Sequence, residues 1–272
     1  MGIDRAEDRQ RPGDPSREKI VRLVEMTRSE AIKAAPESLL VIPLGATEQH
    51  GPHLPAGTDT MLVEAVVERA VLELRDSFPI VLAPTLPLGS SAHHVPFGGT
   101  LSITSLTLYA VLMDIGRSAA AGGFRRIFYL NGHGGNHELA QVAARDLGLE
   151  LPIAVGVGSW WAMAYDALIE AGSPTIRSVP GHAGGFETAA MMAMAGHLVQ
   201  EKRPTREGQP AESPPFRSDY RIEIHGSWKA IDGFTDNPAD ASPELGERFL
   251  TVAAAKVAAD LGSFYSKSQA AT

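Results

Sequence analysis

Ser38-Leu39-Leu40-Val41-Ile42-Pro43-Leu44 runs without a charge into Gly45, and this stretch decides the fold. A short apolar run rich in branched residues and closed by glycine reads as a buried strand. Such strands belong to parallel sheets covered by helices, because a strand with one wet face alternates apolar with polar residues. Outward from it the chain alternates. Thr58 to Leu74 has helical spacing, with Thr58 or Asp59 as N-cap, and Pro79 to Ala83 reads as a second buried strand. Ser105 to Ala121 reads as a helix stopped by Gly122-Gly123, Arg126 to Leu130 as a third strand, Asn136 to Leu147 as a helix and Pro152 to Val157 as a fourth strand. Gly184 to His197 is a helix of small residues suited to close packing, and Leu245 to Tyr265 closes the chain as a helix. Lys202 to Pro238, rich in Pro, Gly and charge, yields no assignment. The expected fold is α/β, three-layer α/β/α on a mostly parallel central sheet. Residues 1–20 mix both charge signs with two prolines and read as a flexible tail, leaving 21–272 as one domain.

Composition narrows the function. Among 272 residues, 32 are acidic and 24 basic, a net charge of −8, which argues against nucleic acid or an anionic membrane as partner. The absence of cysteine removes thiolate catalysis and Cys-ligated zinc, leaving His, Asp and Glu as candidate metal ligands. No apolar run approaches the roughly 18 to 20 residues of a transmembrane helix. The first residues resemble no secretion signal, so the expected location is cytoplasmic.

In parallel sheets ligands bind at the carboxyl ends of the strands. Here polar, glycine-rich segments follow the first three strands, and seven of the nine histidines fall in four short loop-like segments. The first segment runs from Gly45 to Thr60. Glu48 and His50 are two apart and share a side of an extended backbone, while Asp59 returns at a helix start. A Glu, an imidazole and an Asp at one strand end suit zinc, manganese or ferrous iron; the bland alternative is a turn with capping carboxylates. In Asn131-Gly132-His133-Gly134-Gly135-Asn136, His133 is placed as a third metal-facing group, or the loop binds an anion at the helix start. In Gly181-His182-Ala183-Gly184-Gly185-Phe186-Glu187-Thr188, Glu187 lies in a first helical turn, where the dipole favours a carboxylate whatever its role. The loop Gly89 to Thr100, with Ser91, His93, His94 and Phe97, either lines a pocket for a small polar heterocycle or is an ordinary loop with one buried histidine. Trp160 and Trp161 follow a strand end and wall the pocket or fill the core. His197 and His225 read as structural, and His53 as bonding its own loop.

The motifs Gly45 to Pro55 with Gly57-Thr58-Asp59-Thr60, Asn131 to Asn136 and His182 to Thr188, in this order, resemble the creatininase (creatinine amidohydrolase) family over roughly residues 35–265. The resemblance implies a dinuclear centre hydrolysing the C–N bond of a small cyclic or linear amide through a metal-bridging hydroxide. It puts Glu48, His50, Asp59 and His133 on the family's metal ligands, with Asp59 as the bridge and His182 as catalytic acid/base. Ser91 falls on a substrate-contacting serine, and His94, Gly134 and Trp161 join it on the substrate side. The creatinine-hydrolysing enzyme carries a glutamate ligand where this chain has Gly135, and Glu187 is the natural replacement, as ligand and catalytic carboxylate. It has an aromatic residue at Gly134 and a Glu-His pair at His93-His94. The expected cofactors are two divalent ions per chain, with one held by Glu48 and His133 and the other by His50 and Glu187. Backbone N–H groups of Gly184 and Gly185 are candidates for facing the developing oxyanion. The substrate stays open among creatinine, a formamide, a short peptide and a cyclic keto-sugar. The rival readings are a non-catalytic small-molecule-binding protein on the same fold and a phosphate or nucleotide binder. The resemblance also implies a homo-oligomer, often a hexamer, for which the small-residue helix offers a packing surface.

Overall fold

The computed structural model describes residues 20–172, 179–205 and 224–269. Four parallel strands form its sheet: β1 (Leu39–Leu44), β2 (Ile80–Leu82), β3 (Arg126–Asn131) and β4 (Ala154–Ser159), in the order β2-β1-β3-β4. Every residue of β1 and β3 is buried, as a strand covered on both faces requires. Side chains alternate between two cores. Leu39, Val41, Phe128 and Leu130 face one, with helices α2 (Thr58–Leu74), α7 (Gly185–Ala195) and α9 (Pro243–Gln269); Leu40, Ile42, Leu44, Ile127 and Tyr129 face the other, with α3 (Ser105–Ala121) and α4 (His137–Glu150). This is the expected α/β/α layering. A short α1 (Arg28–Ala34) precedes β1, held by a capping box between Thr27 and Glu30. Short helices α5 (Trp160–Met163) and α6 (Tyr165–Glu170) follow β4, and α8 (Ser227–Ala230) precedes α9.

The chain leaves β1 toward β2 on one side and returns to β3 on the other, so the strand order reverses between β1 and β3. A crevice opens beyond the carboxyl ends at such a reversal, and the two most polar glycine-rich loops leave from β1 and β3.

Several expectations need correction. Ile20, counted with the tail, is only 5% exposed and joins the core; residues 1–19 lie outside the described ones. Strand β4 begins and ends two residues later than expected. The two residues added at its end, Gly158 and Ser159, carry no apolar signature, and Gly158 lies against Met163 Sδ, too close for a Cβ. The small-residue helix α7 packs mainly within the chain, with Gly185 through Met191 all buried and the helix against α9, while Met192, Ala193 and Met194 are half-buried. The unassigned Lys202–Pro238 stretch contains α8, although residues 206–223 lie outside the described ones. No helix among the described residues is long and apolar enough to cross a membrane.

Candidate metal centre

Two glycines let the first residues of α2 settle onto the ends of β1 and β3. A Cβ at Gly45 would lie 2.3 Å from Thr60 Oγ1, and one at Gly132 would lie 2.9 Å from Asp59 O. Asp59 is thereby pressed between the two strand ends. Asn136 ties the surrounding loops together, donating from Nδ2 to Gly45 O at 3.1 Å and accepting from Ser90 N at 3.0 Å. Asn131 does the same for His133, accepting from its N–H at 3.1 Å and donating to its carbonyl at 2.7 Å.

The result is a buried knot of three carboxylates and three imidazoles. Asp59 Oδ2 lies 3.0 Å from His133 Nδ1, and Asp59 Oδ1 lies 3.3 Å from His50 Nε2. Glu48 Oε1 stands 3.3 Å from His133 Nδ1 and 3.5 Å from His182 Nδ1, while Glu187 Oε2 stands 3.7 Å from His50 Nε2. Two three-residue groups within metal-binding distance therefore share Asp59: Glu48, Asp59 and His133 on one side, and His50, Asp59 and Glu187 on the other. Glu48 also belongs to groups with His50 and His182 and with His93 and His94.

The donor set fits divalent cations. Glu48 Oε2, His50 Nε2 and Asp59 Oδ2 are buried and make no hydrogen bond of acceptable geometry, an arrangement that costs free energy unless a ligand satisfies it. Each histidine is anchored through its other nitrogen. His50 Nδ1 lies 3.0 Å from Glu48 O, and His133 Nε2 lies 3.2 Å from Ser90 O and from Ser91 Oγ. Donation to those carbonyls leaves His50 Nε2 and His133 Nδ1 as the lone pairs facing inward, as metal-ligating imidazoles require.

Protonation follows the crowding of negative charge. Burial opposes charge on His50, yet Asp59, Glu187 and Glu48 together raise it to about 10. His133 is likewise raised against its burial, by Glu48 and Asp59. Glu187 is pushed up by burial first and by neighbouring Asp59 and Glu48, against the pull of His50. Burial would raise Asp59, but His50 and His133 hold it low. Protons here supply the positive charge that cations would bring, and ligation by neutral imidazoles and ionised carboxylates displaces them. His94 is lowered to about 2 and His182 well below its usual value, by burial first and then by neighbouring imidazoles.

The other expected residues are placed unevenly. His182 stacks on His94 with ring centroids 4.1 Å apart and reaches the centre. Ser91, buried, sits on the outer nitrogen of His133. Gly134 is exposed with open space about it. Trp161, 3% exposed, lies in the apolar core against Trp160, which stacks on Phe186. Gly185 N–H donates to Asp236 Oδ1 at 2.8 Å and is engaged there, not open to an oxyanion. His53 bonds Thr188 Oγ1 at 2.8 Å, tying its loop to α7. His137 opens α4 and turns to Ser159 at 2.7 Å. His197 and His225 are exposed.

Three contributors escaped the sequence reading. Trp228 of α8 lies with ring centroids 4.7 Å from His94 and 5.5 Å from His182, edge-on to both. A lone tryptophan in a polar, Pro/Gly-rich stretch was its only signal. Thr235 fixes the His182 backbone, accepting from its N–H at 2.8 Å and donating N–H to its carbonyl at 2.9 Å. Gln49 lies between two candidate ligands. Ala183, between His182 and the α7 N-terminus, has φ of 49°, the kind of strained backbone that collects at functional sites.

A parallel α/β sheet carrying such a knot at its strand-order reversal has counterparts among known hydrolases. The family model "Creatininase: Creatinine amidohydrolase" matches residues 24–261, and the chain belongs to this family of amidohydrolases. It is 34% identical over 219 residues to the mycofactocin precursor peptide peptidase of Mycobacterium tuberculosis, covering 78% of this chain and 79% of the relative. It is 31% identical over 240 residues to the creatinine amidohydrolase of Pseudomonas putida, covering 82% and 88%. Among solved structures, one titled "Creatininase Mn" superposes with a TM-score of 0.74 at 29% identity, covering 89% of this chain and 97% of the other. A mutant creatininase complexed with creatine gives 0.75 at 28% identity, covering 90% and 99%.

Proposed function

We propose that this chain is a two-ion amidohydrolase whose substrate is a peptide amide. The observation that carries the reading is the sharing of Asp59 by two buried donor groups, with Glu48 and His133 holding one ion and His50 and Glu187 the other. Bound there, zinc, manganese or ferrous iron lowers the pKa of water from 15.7 to roughly 7 and polarises a carbonyl. The chain's own residues do the rest. Asp59 and Glu48 offset the cationic charge, and the anchored imidazoles fix the geometry. His182 Nε2 lies 2.9 Å from Gln49 O; a proton donated there leaves Nδ1 as a lone pair toward the centre, placed to take up a proton and pass it to the leaving nitrogen.

The peptide is favoured over creatinine by two observations. The relatives at 34% and 35% identity are named as peptide peptidases, against 31% for the creatinine amidohydrolase. Gly135 also has no room for the glutamate of the creatinine-hydrolysing enzyme, since a Cβ there would lie 2.1 Å from Ser90 O and 2.6 Å from His133 Nε2. Metal analysis of chain purified without chelator is expected to give about two equivalents, removed by chelation together with hydrolysis of a short-peptide panel and restored by add-back. Creatinine is expected to be a poor substrate. Absence of metal even after add-back would overturn the enzyme reading, and creatinine turned over faster than any peptide would overturn the substrate.

The crowding at Gly135 gives a paired prediction. Gly135→Ala is expected to push His133 off its position and weaken one metal equivalent by about 10- to 100-fold, the cost of disturbing a ligand's support. Gly134→Ala, where a Cβ meets nothing within 4 Å, is expected to keep both equivalents in the same titration.

A further inference from the structure

Gln49 lies between Glu48 and His50 in the chain, and its side chain reaches the same His94 and His182 rings that Glu48 faces. All four of its polar groups are engaged. Its backbone N–H donates to Thr100 Oγ1 at 3.0 Å, and its carbonyl lies 2.9 Å from His182 Nε2. Its side-chain oxygen accepts the Gly51 N–H at 2.9 Å. Its side-chain nitrogen lies 2.9 Å from Gly233 O, 2.8 Å from His94 Nδ1 and 3.1 Å from His182 Nε2.

These contacts admit one orientation of the amide. Flipping it would set NH₂ against the Gly51 N–H and oxygen against the Gly233 carbonyl, two repulsions in place of two hydrogen bonds. In the orientation that remains, one N–H goes to Gly233 O and the other to His94 Nδ1 at 2.8 Å, while His182 Nε2, 3.1 Å from the same nitrogen, donates to Gln49 O at 2.9 Å and makes no hydrogen bond to the amide nitrogen. A ring that accepts at Nδ1 carries its proton on Nε2. His94 Nε2 stands 3.6 Å from Glu48 Oε1, on the side of the metal centre.

We infer that Gln49 is a positioning residue that holds His94 as a fixed Nε2–H donor toward the reaction centre. His94 is then neither a base nor a ligand there, so the group Glu48, His93 and His94 is not a third cation site, although its donor atoms are close enough for one. The two stacked imidazoles face the centre with opposite polarity, His182 with a lone pair and His94 with an N–H. The substrate group that meets His94 is therefore an acceptor, a carbonyl or carboxylate oxygen, which a peptide supplies next to its scissile bond. This last step rests on the proposed function; the polarity of His94 rests only on the hydrogen bonds.

The test is the protonation of His94 Nδ1, read by long-range ¹H–¹⁵N spectra of the full-length, histidine-labelled, zinc-loaded chain, with His94 assigned through His94→Phe. The wild-type Nδ1 is expected to be unprotonated. In Gln49→Glu the carboxylate still accepts from Gly51 N–H but offers His94 no donor, and a proton is expected to appear on Nδ1. Should that variant fail to fold, Gln49→Met removes both donors, and its Nδ1 and Nε2 shifts are expected to converge as the tautomers mix. A protonated Nδ1 in the wild type, or an unchanged ring in the folded variants, overturns the inference. Zinc stoichiometry measured on the same samples tests the two-ion reading separately.

Discussion

Asp59→Ala is expected to abolish binding of two metal equivalents and to lower turnover by about 1,000-fold or more. The side chain's two oxygens face different histidines, Oδ1 toward His50 at 3.3 Å and Oδ2 toward His133 at 3.0 Å. Within the two groups that share Asp59, Glu48 belongs to the His133 side and Glu187 to the His50 side, so only Asp59 joins the two. Without Asp59 neither of the two groups that share it is complete, and the group that remains, Glu48, His50 and His182, has donors for one ion rather than two. A metal's contribution to the transition state is several kcal/mol, and each 1.36 kcal/mol is tenfold in rate, which sets the magnitude. The side chain is buried in the first turn of α2, so folding needs its own control. Asp59→Asn keeps the shape while removing the charge, and is expected to lose metal while still unfolding in one cooperative transition, at a lower metal-free midpoint because His50 and His133 lose a buried charge partner. Elemental analysis, peptide turnover and thermal unfolding on the three proteins decide the matter; two equivalents and full turnover in Asp59→Ala would sink the shared-ligand assignment.

The sequence made the fold legible wherever one pattern dominated. The apolar runs of β1 and β3 and the helical spacing of α2 and α3 left little choice, and α2 and α3 span the expected residues. It misled where packing replaced pattern. Gly158, beyond the expected end of the strand, belongs to β4 because the Met163 side chain fills the space of a Cβ, which no propensity reports. Glycine and alanine in α7 looked like an outer contact surface for the same reason: small residues mark close approach without naming the partner. At the site, spacing brought Glu48, His50 and Asp59 together because the loop between them is short. Glu187 and His182 arrive from far along the chain, and only the resemblance joined them to the rest. Gln49 stood inside the motif and passed unnoticed, since an amide has no chemistry that spacing alone reveals. Trp228 could not be paired with the histidines from sequence, because the polar, Pro/Gly-rich stretch around it has no periodicity to orient it.

Gly246→Ala and Gly262→Ala, two substitutions of one helix, are expected to have opposite signs. In an isolated helix both would stabilise, since alanine gains about 1 kcal/mol over glycine. Gly246 is where α9 meets the backbone of α7, and a Cβ there would lie 1.8 Å from Ala189 O and 2.8 Å from Ala190 N. Backbone cannot rotate aside as a side chain can, so the helices must separate, and overpacking of this kind costs about 1–3 kcal/mol. For a chain of this size that lowers Tm by up to about 10 °C. At Gly262 the nearest atoms are Leu74 Cδ2 at 3.9 Å and Phe78 Cε1 at 4.0 Å, ordinary contact that leaves the helical gain intact, and Tm is expected to rise by about 2–4 °C. The first substitution also reaches the centre. Glu187 lies two residues before Ala189 on α7, so pushing that helix outward draws its carboxylate from His50 and leaves Glu48, Asp59 and His133 in place. Gly246→Ala is therefore expected to weaken one metal equivalent while the other holds, seen as two separate steps in a zinc titration. Equal weakening of both would mean that Glu187 is not confined to one ion, and a Tm unchanged from wild type would mean that α7 and α9 pack less closely than their backbones stand here.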